Sequence, residues 1–213
     1  MSFSSVSGKN WLFKKFDSSE VDKFVENYSL SEITAKLLSI RKNNIGDLDL
    51  FLNPKIKNLL PNPLILKDMN NAVERTYKSI IKDEFIGIFG DYDVDGASST
   101  AILVRYFSSI NKKIKTYIPD RHKEGYGPNT KGFKDLIDSG AKIIFTVDCG
   151  TSSYEPISLA QELKVDVVVL DHHQSDVKLP NACAIVNPNR YDDTSGLNYL
   201  CAAGVCFIFS KHR

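Results

Sequence analysis

The rhythm of hydrophobic and polar positions changes near residue 85. Before it, Leu30–Ile40 carries apolar residues at helical spacing behind Ser31 as N-cap, and Ile45–Leu52 follows as a second short amphipathic stretch. Pro54, Pro61 and Pro63 make residues 54–63 an irregular connection, and Asn70–Lys82 reads as a third helix. Residues 1–84 are therefore expected to form a small helical lead-in. From Phe85 onward, short apolar runs alternate with helical segments. Strands are expected over Phe85–Gly90, Ile114–Ile118, Lys142–Val147 and Val165–Leu170, and helices over Ala97–Ser109, Gly132–Ser139 and Pro156–Leu163. Strands that are apolar throughout and separated by helices belong to a parallel sheet covered on both faces. The fold class expected for residues 85–213 is α/β, a doubly wound, mostly parallel sheet.

Composition adds limits. The 213 residues are 42% hydrophobic, which suits one domain plus an extension. With 27 basic and 26 acidic residues the net charge is +1, unlike a protein that holds duplex DNA by charge alone. Residues 84–213 hold 14 Lys/Arg against 16 Asp/Glu, so this half is slightly acidic. Cys149, Cys183, Cys201 and Cys206 form no CxxC pair and read as reduced, mostly buried thiols. The first residues lack the apolar core of a secretion signal, and no 18-residue apolar run exists. A soluble, cytoplasmic chain without membrane association is expected. Lys112, Lys113 and Lys115 read as a solvated helix-to-strand connection.

Three of the four strands end in chemistry rather than in turn residues. The first runs into Asp91-Tyr92-Asp93-Val94-Asp95-Gly96, the third into Asp148-Cys149-Gly150, and the fourth into Asp171-His172-His173. Open α/β sheets bind ligands outside the carboxyl ends of their strands, so five carboxylates and two imidazoles converge on one edge. Such carboxylates repel unless one takes a proton or a cation sits among them. Oxygen-rich ligation with one or two imidazoles suits Mn²⁺ or Mg²⁺ better than zinc. Two such ions can clamp an in-line displacement at phosphorus. If the loop continues the strand, alternation would turn Asp91, Asp93 and Asp95 toward one site.

Other readings of these residues are weaker. An Asp after a strand is usually a turn residue or a helix N-cap, and Asp148 alone would be read so. A calcium loop of the EF-hand kind needs Glu at its twelfth position, which here is Ile102, and a helix rather than a strand before it. An aspartyl-phosphate hydrolase of the haloacid dehalogenase type would explain the DxD but has no use for the DHH triplet.

GDYDVDG, VDCG and DHH, in this order and at these strand ends, resemble the first three motifs of the DHH phosphoesterase superfamily. GDYDVDGASSTAIL, the loop IPDRHKEGYGPN (Ile118–Asn129), AIVNPNR (Ala184–Arg190) and CAAGVCFIF (Cys201–Phe209) resemble the RecJ-type single-strand exonucleases within it, over about residues 60–213. The resemblance implies metal ligands at Asp91, Asp93, Asp95, Asp148 and His172, with Asp148 bridging. It implies catalytic work at Asp93, Asp95, Asp148, His172 and His173, and an orienting role for Asp171. His173 would also sit beside the phosphate. Arg121, His122 and Tyr126 would border the substrate, Arg121 pairing with a phosphate and Tyr126 stacking on a base.

The implied activity is 5′ to 3′ exonuclease hydrolysis of single-stranded DNA in repair and recombination, with Mn²⁺ or Mg²⁺, two ions in the complete enzyme. Two alternatives stay open: a non-catalytic fragment, and a small-substrate phosphodiesterase of the oligoribonuclease type. The resemblance also implies a further metal-binding Asp and a second domain beyond Arg213. The chain is thus expected to be the front part of a longer protein, with single-stranded DNA, a complementary C-terminal fragment or repair proteins as partners. The final helix is expected to leave Val205, Phe207, Ile208 and Phe209 exposed.

Overall fold

A computed structural model describes residues 2–12, 14–41 and 47–211. The chain divides into two compact units, Met1–Leu60 and Pro61–Arg213.

In the first unit, β1 (Ser2–Ser4) and β2 (Asn10–Leu12) pair antiparallel, followed by α1 (Ser18–Tyr28) and α2 (Glu32–Arg41). Asp17 caps α1 by accepting from the backbone N–H of Ser19 and Glu20. Ser31 accepts from Thr34 N–H at 3.3 Å, the capping role expected for it before α2. The two helices pack around Val21, Ala35 and Leu38, and Ser39 donates to Glu20 across the pair at 2.6 Å. Short helices α3 (Leu48–Leu52) and α4 (Ile56–Leu59) follow. Ile45 and Gly46 of the expected Ile45–Leu52 stretch lie outside the described residues.

The second unit opens with a single 3-10 turn (Pro63–Ile65) and α5 (Met69–Ile81). It continues as β3 (Phe85–Phe89), α6 (Val94–Ser109), β4 (Ile114–Tyr117), α7 (Arg121–Glu124), α8 (Thr130–Asp138) and β5 (Ala141–Val147). It closes with α9 (Tyr154–Glu162), β6 (Asp166–Leu170), β7 (Ala184–Val186) and α10 (Ala202–Lys211). The five strands β3–β7 form one sheet in the order β4-β3-β5-β6-β7, every pair parallel. All four expected strands are present, and β7 is added beside β6. Its three residues are too short for periodicity to distinguish them from a loop.

Period-two alternation sorts the sheet's side chains onto two faces. Ile86, Ile88, Ile143, Phe145, Val147, Val168 and Leu170 pack with α5, α6 and α10. Phe89, Ile144, Val167, Val169 and Ile185 pack with α8 and α9. The sheet is therefore wound on both sides, as the unbroken apolar runs required.

α5 packs with the sheet: Met69 and Ala72 are fully buried in the first of these clusters, and the second compact unit takes in α5 from Pro61 onward. Several expectations need correction. Val205, Ile208 and Phe209 are not exposed, because α10 packs on α6 and the sheet, where Phe209 meets Phe145 and Tyr106. Lys112 is not simply solvated. Its Nζ donates to Ile80 O at 2.8 Å and to Asp83 at 2.9 Å, tying the end of α5 to the α6–β4 turn. The cysteines are all free, but only Cys149 and Cys206 are buried, whereas Cys183 and Cys201 are exposed.

Candidate metal centre

Chain order β3→β4 runs to one side of the sheet and β5→β6→β7 to the other, so the strand order reverses between β3 and β5. Loops leave the carboxyl ends of two neighbouring strands in opposite directions there, which opens a crevice. Asp91 follows β3 and Asp148 follows β5, one on each side of it. Both side chains are almost fully buried, at 2% and 1% exposure.

The DYDVDG segment does not continue the strand, contrary to the alternation argument. Asp93 becomes the N-cap of α6, accepting from Gly96 N–H at 2.9 Å, and Asp95 falls in the first helical turn. Gly96 is required for this approach: a Cβ there would lie 2.6 Å from both Cβ and O of Asp91. Helix geometry then sends Asp95 elsewhere. Its Oδ2 accepts from Ala202 N–H and its Oδ1 from Ala203 N–H, each at 2.8 Å, so it caps α10 while Oδ2 stays 3.5 Å from His172 Nε2.

Two sets of side chains could each hold an ion, Asp91–Asp93–Asp148 and Asp148–His172–His173, with the ligand atoms of each set within 4.8 Å of one another. Asp148 belongs to both. Its backbone takes the left-handed conformation at φ 59°, which turns the carboxylate into the crevice. Asp148 Oδ1 lies 3.3 Å from His172 Nε2 and 4.0 Å from His173 Nδ1. Burial, then the carboxylates of Asp95 and Asp93, push the Asp148 acid up to about 8. Burial likewise raises Asp91, while the Gly96 N–H holds Asp93 below its ordinary value.

The DHH turn is fixed from behind by a hydrogen-bonded relay. Asp171, 1% exposed, accepts from His173 Nδ1–H at 2.7 Å, from the backbone N–H of His172 and His173, and from Thr151 N–H and Oγ1–H. Burial alone would raise the Asp171 acid, but the His173 and Thr151 donors outweigh it and hold the group at about 2. That carboxylate in turn raises His173. Asn187 donates to Thr151 Oγ1 at 2.9 Å and to His173 O at 2.8 Å, and Asn189 donates to His172 O at 2.5 Å. Thr151, Asn187 and Asn189 are the residues that sequence reasoning missed. Asn187 and Asn189 stood inside the quoted AIVNPNR segment, but only the fold shows that they hold the histidine carbonyls.

The expected substrate loop is partly helical. Arg121 and His122 stand on α7, and Arg121 lies over the Tyr92 ring with 5.3 Å between its guanidinium carbon and the ring centre. Tyr126 reaches the site itself, its hydroxyl 3.1 Å from His173 Nε2 and 3.4 Å from Asp148 O. His122 is exposed, and its backbone N–H donates to the capping carboxylate of Asp120 at 2.9 Å. The structure brings Asp91, Asp93, Asp95, Asp148, Asp171, His172, His173 and Tyr126 together, sets Arg121 at the rim, and leaves His122 outside.

The donor set fits a divalent cation. Asp91 Oδ1 and Asp148 Oδ1 are buried oxygens that accept no hydrogen bond, a costly state that a cation would relieve. Carboxylate oxygens with one or two imidazoles are the ligands preferred by Mn²⁺ or Mg²⁺.

The family model for the DHH family, N-terminal domain, matches residues 85–213, and the chain belongs to that family. Among curated relatives, it is 34% identical over 203 residues to the single-stranded-DNA-specific exonuclease RecJ of Bacillus subtilis, covering 95% of this chain and 26% of that protein. It is 36% identical over 157 residues to RecJ of Salmonella typhimurium, covering 73% of this chain and 27% of that protein. Among solved structures, exonuclease RecJ bound to manganese matches with a TM-score of 0.62 at 30% identity, over 68% of this chain and 37% of that chain. The chain thus spans about a quarter of the length of the curated relatives it matches. Among the described residues, no helix is long and apolar enough to cross a membrane.

Proposed function

We propose that this chain carries the metal-binding part of a hydrolase that removes nucleotides from single-stranded DNA, working 5′ to 3′ in repair and recombination. The observation that carries the reading is the buried Asp148 Oδ1, which accepts no hydrogen bond and is shared by an acidic set on one side and the two histidines on the other. Two sites that share one carboxylate suit a pair of ions flanking one phosphate. Asp91, Asp93, Asp148 and His172 are proposed to hold the ions. Asp95 keeps α10 docked and adds its negative charge to the same face. Mn²⁺ or Mg²⁺, when bound, would activate a water and stabilise the leaving oxygen.

The chain's own groups do the rest. Asp171 fixes His173 through Nδ1, so its Nε2 is turned toward Tyr126 and the crevice. Asn187 and Asn189 hold the backbone of both histidines, keeping the imidazoles in place when a phosphate arrives. Arg121 at the rim is placed to pair with a neighbouring phosphate.

The test is digestion of single strands labelled at either end, with Mn²⁺, by the wild type and by Asp93→Asn, which retains a capping oxygen. Labelled mononucleotide should appear first from the 5′-labelled strand, and the variant should lose at least 100-fold, a size drawn from the loss of outer partners of metal sites. First release from the 3′ label would reverse the proposed polarity. Turnover of dinucleotides alone would favour a small-substrate phosphodiesterase. No Asp93-dependent cleavage at all would sink the catalytic reading of these residues.

A further inference from the structure

The turn from Asn187 to Arg190 holds both histidine carbonyls, and a distant segment of the chain holds that turn. The turn closes on itself where Arg190 N–H donates to Asn187 O at 3.2 Å and Asn189 N–H to Asn187 Oδ1 at 2.8 Å. Beyond that it leans on Lys67 and Asp68, which precede α5 and lie before residue 85, where the family match begins. Arg190, its side chain only 8% exposed, donates through Nη1 to Asp68 Oδ2 at 2.7 Å and to Ile185 O at 2.6 Å. Its Nε and Nη2 grip Asp192. Asp68 Oδ2 also accepts from Ile185 N–H at 3.2 Å, and Lys67 N–H donates to Asp193 Oδ2 at 2.9 Å.

Two features set Asp68 apart from an ordinary helix cap. It occupies the N-cap position of α5 but makes no capping hydrogen bond there, although Asp is among the best residues for that role. Its backbone is also left-handed at φ 60°, a conformation that costs energy for a residue with a Cβ. The carboxylate goes to Arg190 and β7 instead. Without it, the buried guanidinium would keep as counter-charge only Asp192, whose side chain is half exposed.

We propose that Asp68 is a positioning residue of the metal centre. Through Arg190 it sets the turn from which Asn187 and Asn189 reach the two histidine carbonyls, so His172 and His173 depend on a segment outside the family match. This role rests on the metal centre proposed above and deepens it, adding a support that the ligands themselves do not include. Partners behind the ligands of a metal site commonly contribute about ten- to a hundredfold in affinity.

Asp68→Gly is the test, because glycine accepts φ 60° without strain while the carboxylate is removed. The readouts are histidine ring signals by NMR in the metal-free whole chain and calorimetric titration with Mn²⁺. Asp68→Gly should displace the ring signals of both histidines and weaken Mn²⁺ binding about tenfold. Asp68→Asn, which tolerates the same backbone and keeps an oxygen for Arg190, should recover most of both. Arg190→Lys keeps the charge but loses the forked contact, and should behave as Asp68→Gly does. Arg75→Gln controls for loose docking of α5, since Arg75 pairs with Glu84 and Asp166 and donates to Lys142 O at the starts of β5 and β6. It should lower the melting temperature and leave ring signals and Mn²⁺ affinity unchanged. Wild-type ring signals and affinity in folded Asp68→Gly would overturn the proposal, as would equal losses in Arg75→Gln. If the wild type binds no Mn²⁺, the metal reading fails, and the ring signals still decide. Displacement in Asp68→Gly but not in Arg75→Gln then upholds the positioning role, and any other pattern overturns it. Should Asp68→Gly not fold, Arg190→Lys decides by the same criteria.

Discussion

Asp95 Oδ1 accepts from Ala203 N–H and Oδ2 from Ala202 N–H, both at 2.8 Å, so one carboxylate on the first turn of α6 closes the amino end of α10. The charge lies at the positive end of the α10 dipole, and two orphan donors are satisfied by a residue more than a hundred positions away. Asp95→Ala should cost about 1–2 kcal/mol, the usual loss for a helix cap. For a chain of this size that is a fall of roughly 2–8 °C in melting temperature. A melt in metal-free buffer checks it, because any metal-dependent loss is then excluded. An unchanged melting temperature would mean the α10 contact carries no stability.

The metal-free protein should lose stability as pH rises from about 5 to 8. Asp148 is raised to about 8, so its neutral form is favoured in the folded state. The advantage is whole below the ordinary Asp value near 4 and is lost as pH climbs through 8. His173 is also raised, and its contribution is likewise lost on going up. Asp171 acts oppositely: held at about 2, it stabilises above pH 4 and loses that effect only as pH falls toward 2, outside the window. Melting curves at pH 5, 6.5 and 8 should therefore descend without metal, and millimolar Mn²⁺ should flatten the slope by stabilising the ionised carboxylates. A rise in melting temperature over this range without metal would contradict the assignment.

Gly96→Ala should damage the site more than its small size suggests. The added methyl would stand 2.6 Å from Asp91 Cβ, so Asp91 or the start of α6 must shift. Overpacking of this kind costs about 1–3 kcal/mol. Calorimetric titration should show Mn²⁺ binding weakened by about tenfold or more, since ligand positions must hold to within about half an ångström. Wild-type affinity in a folded Gly96→Ala protein would remove Asp91 from the proposed ligand set.

Asn187 lies fully buried and reaches both Thr151 and His173 O. Asn187→Ala leaves that carbonyl and hydroxyl without their donor, at a cost of about 1–3 kcal/mol. Denaturant unfolding gives the stability change. Broadened or displaced His173 ring signals should accompany it, and unaltered signals would show that the relay does not fix the imidazole.

Much of the fold and part of the site were legible in advance. The four strands were readable because residues buried on both faces must be apolar without interruption, and Phe85–Phe89, Ala141–Val147 and Asp166–Leu170 obey that rule almost fully. The acidic and DHH clusters were legible because three strand ends bring carboxylates and imidazoles to one edge, where a lone Asp would read as a cap but a cluster repels itself without a cation. The final helix was expected to leave its apolar residues exposed, since period and composition do not say which neighbour covers a helix. α6 and the sheet do so here.

The sequence alone determined which residues could carry metal chemistry and that parallel strands would deliver them to one edge, because strand burial and side-chain type are local properties. Only the tertiary structure decided how they divide the work. The helical turn at Asp93 sent Asp95 to α10, the left-handed backbone at Asp148 made it common to both ligand sets, and Asn187 and Asn189 came back along β7 to hold the histidines. Those outcomes depend on contacts between segments far apart in the chain, where no periodicity or spacing carries the information.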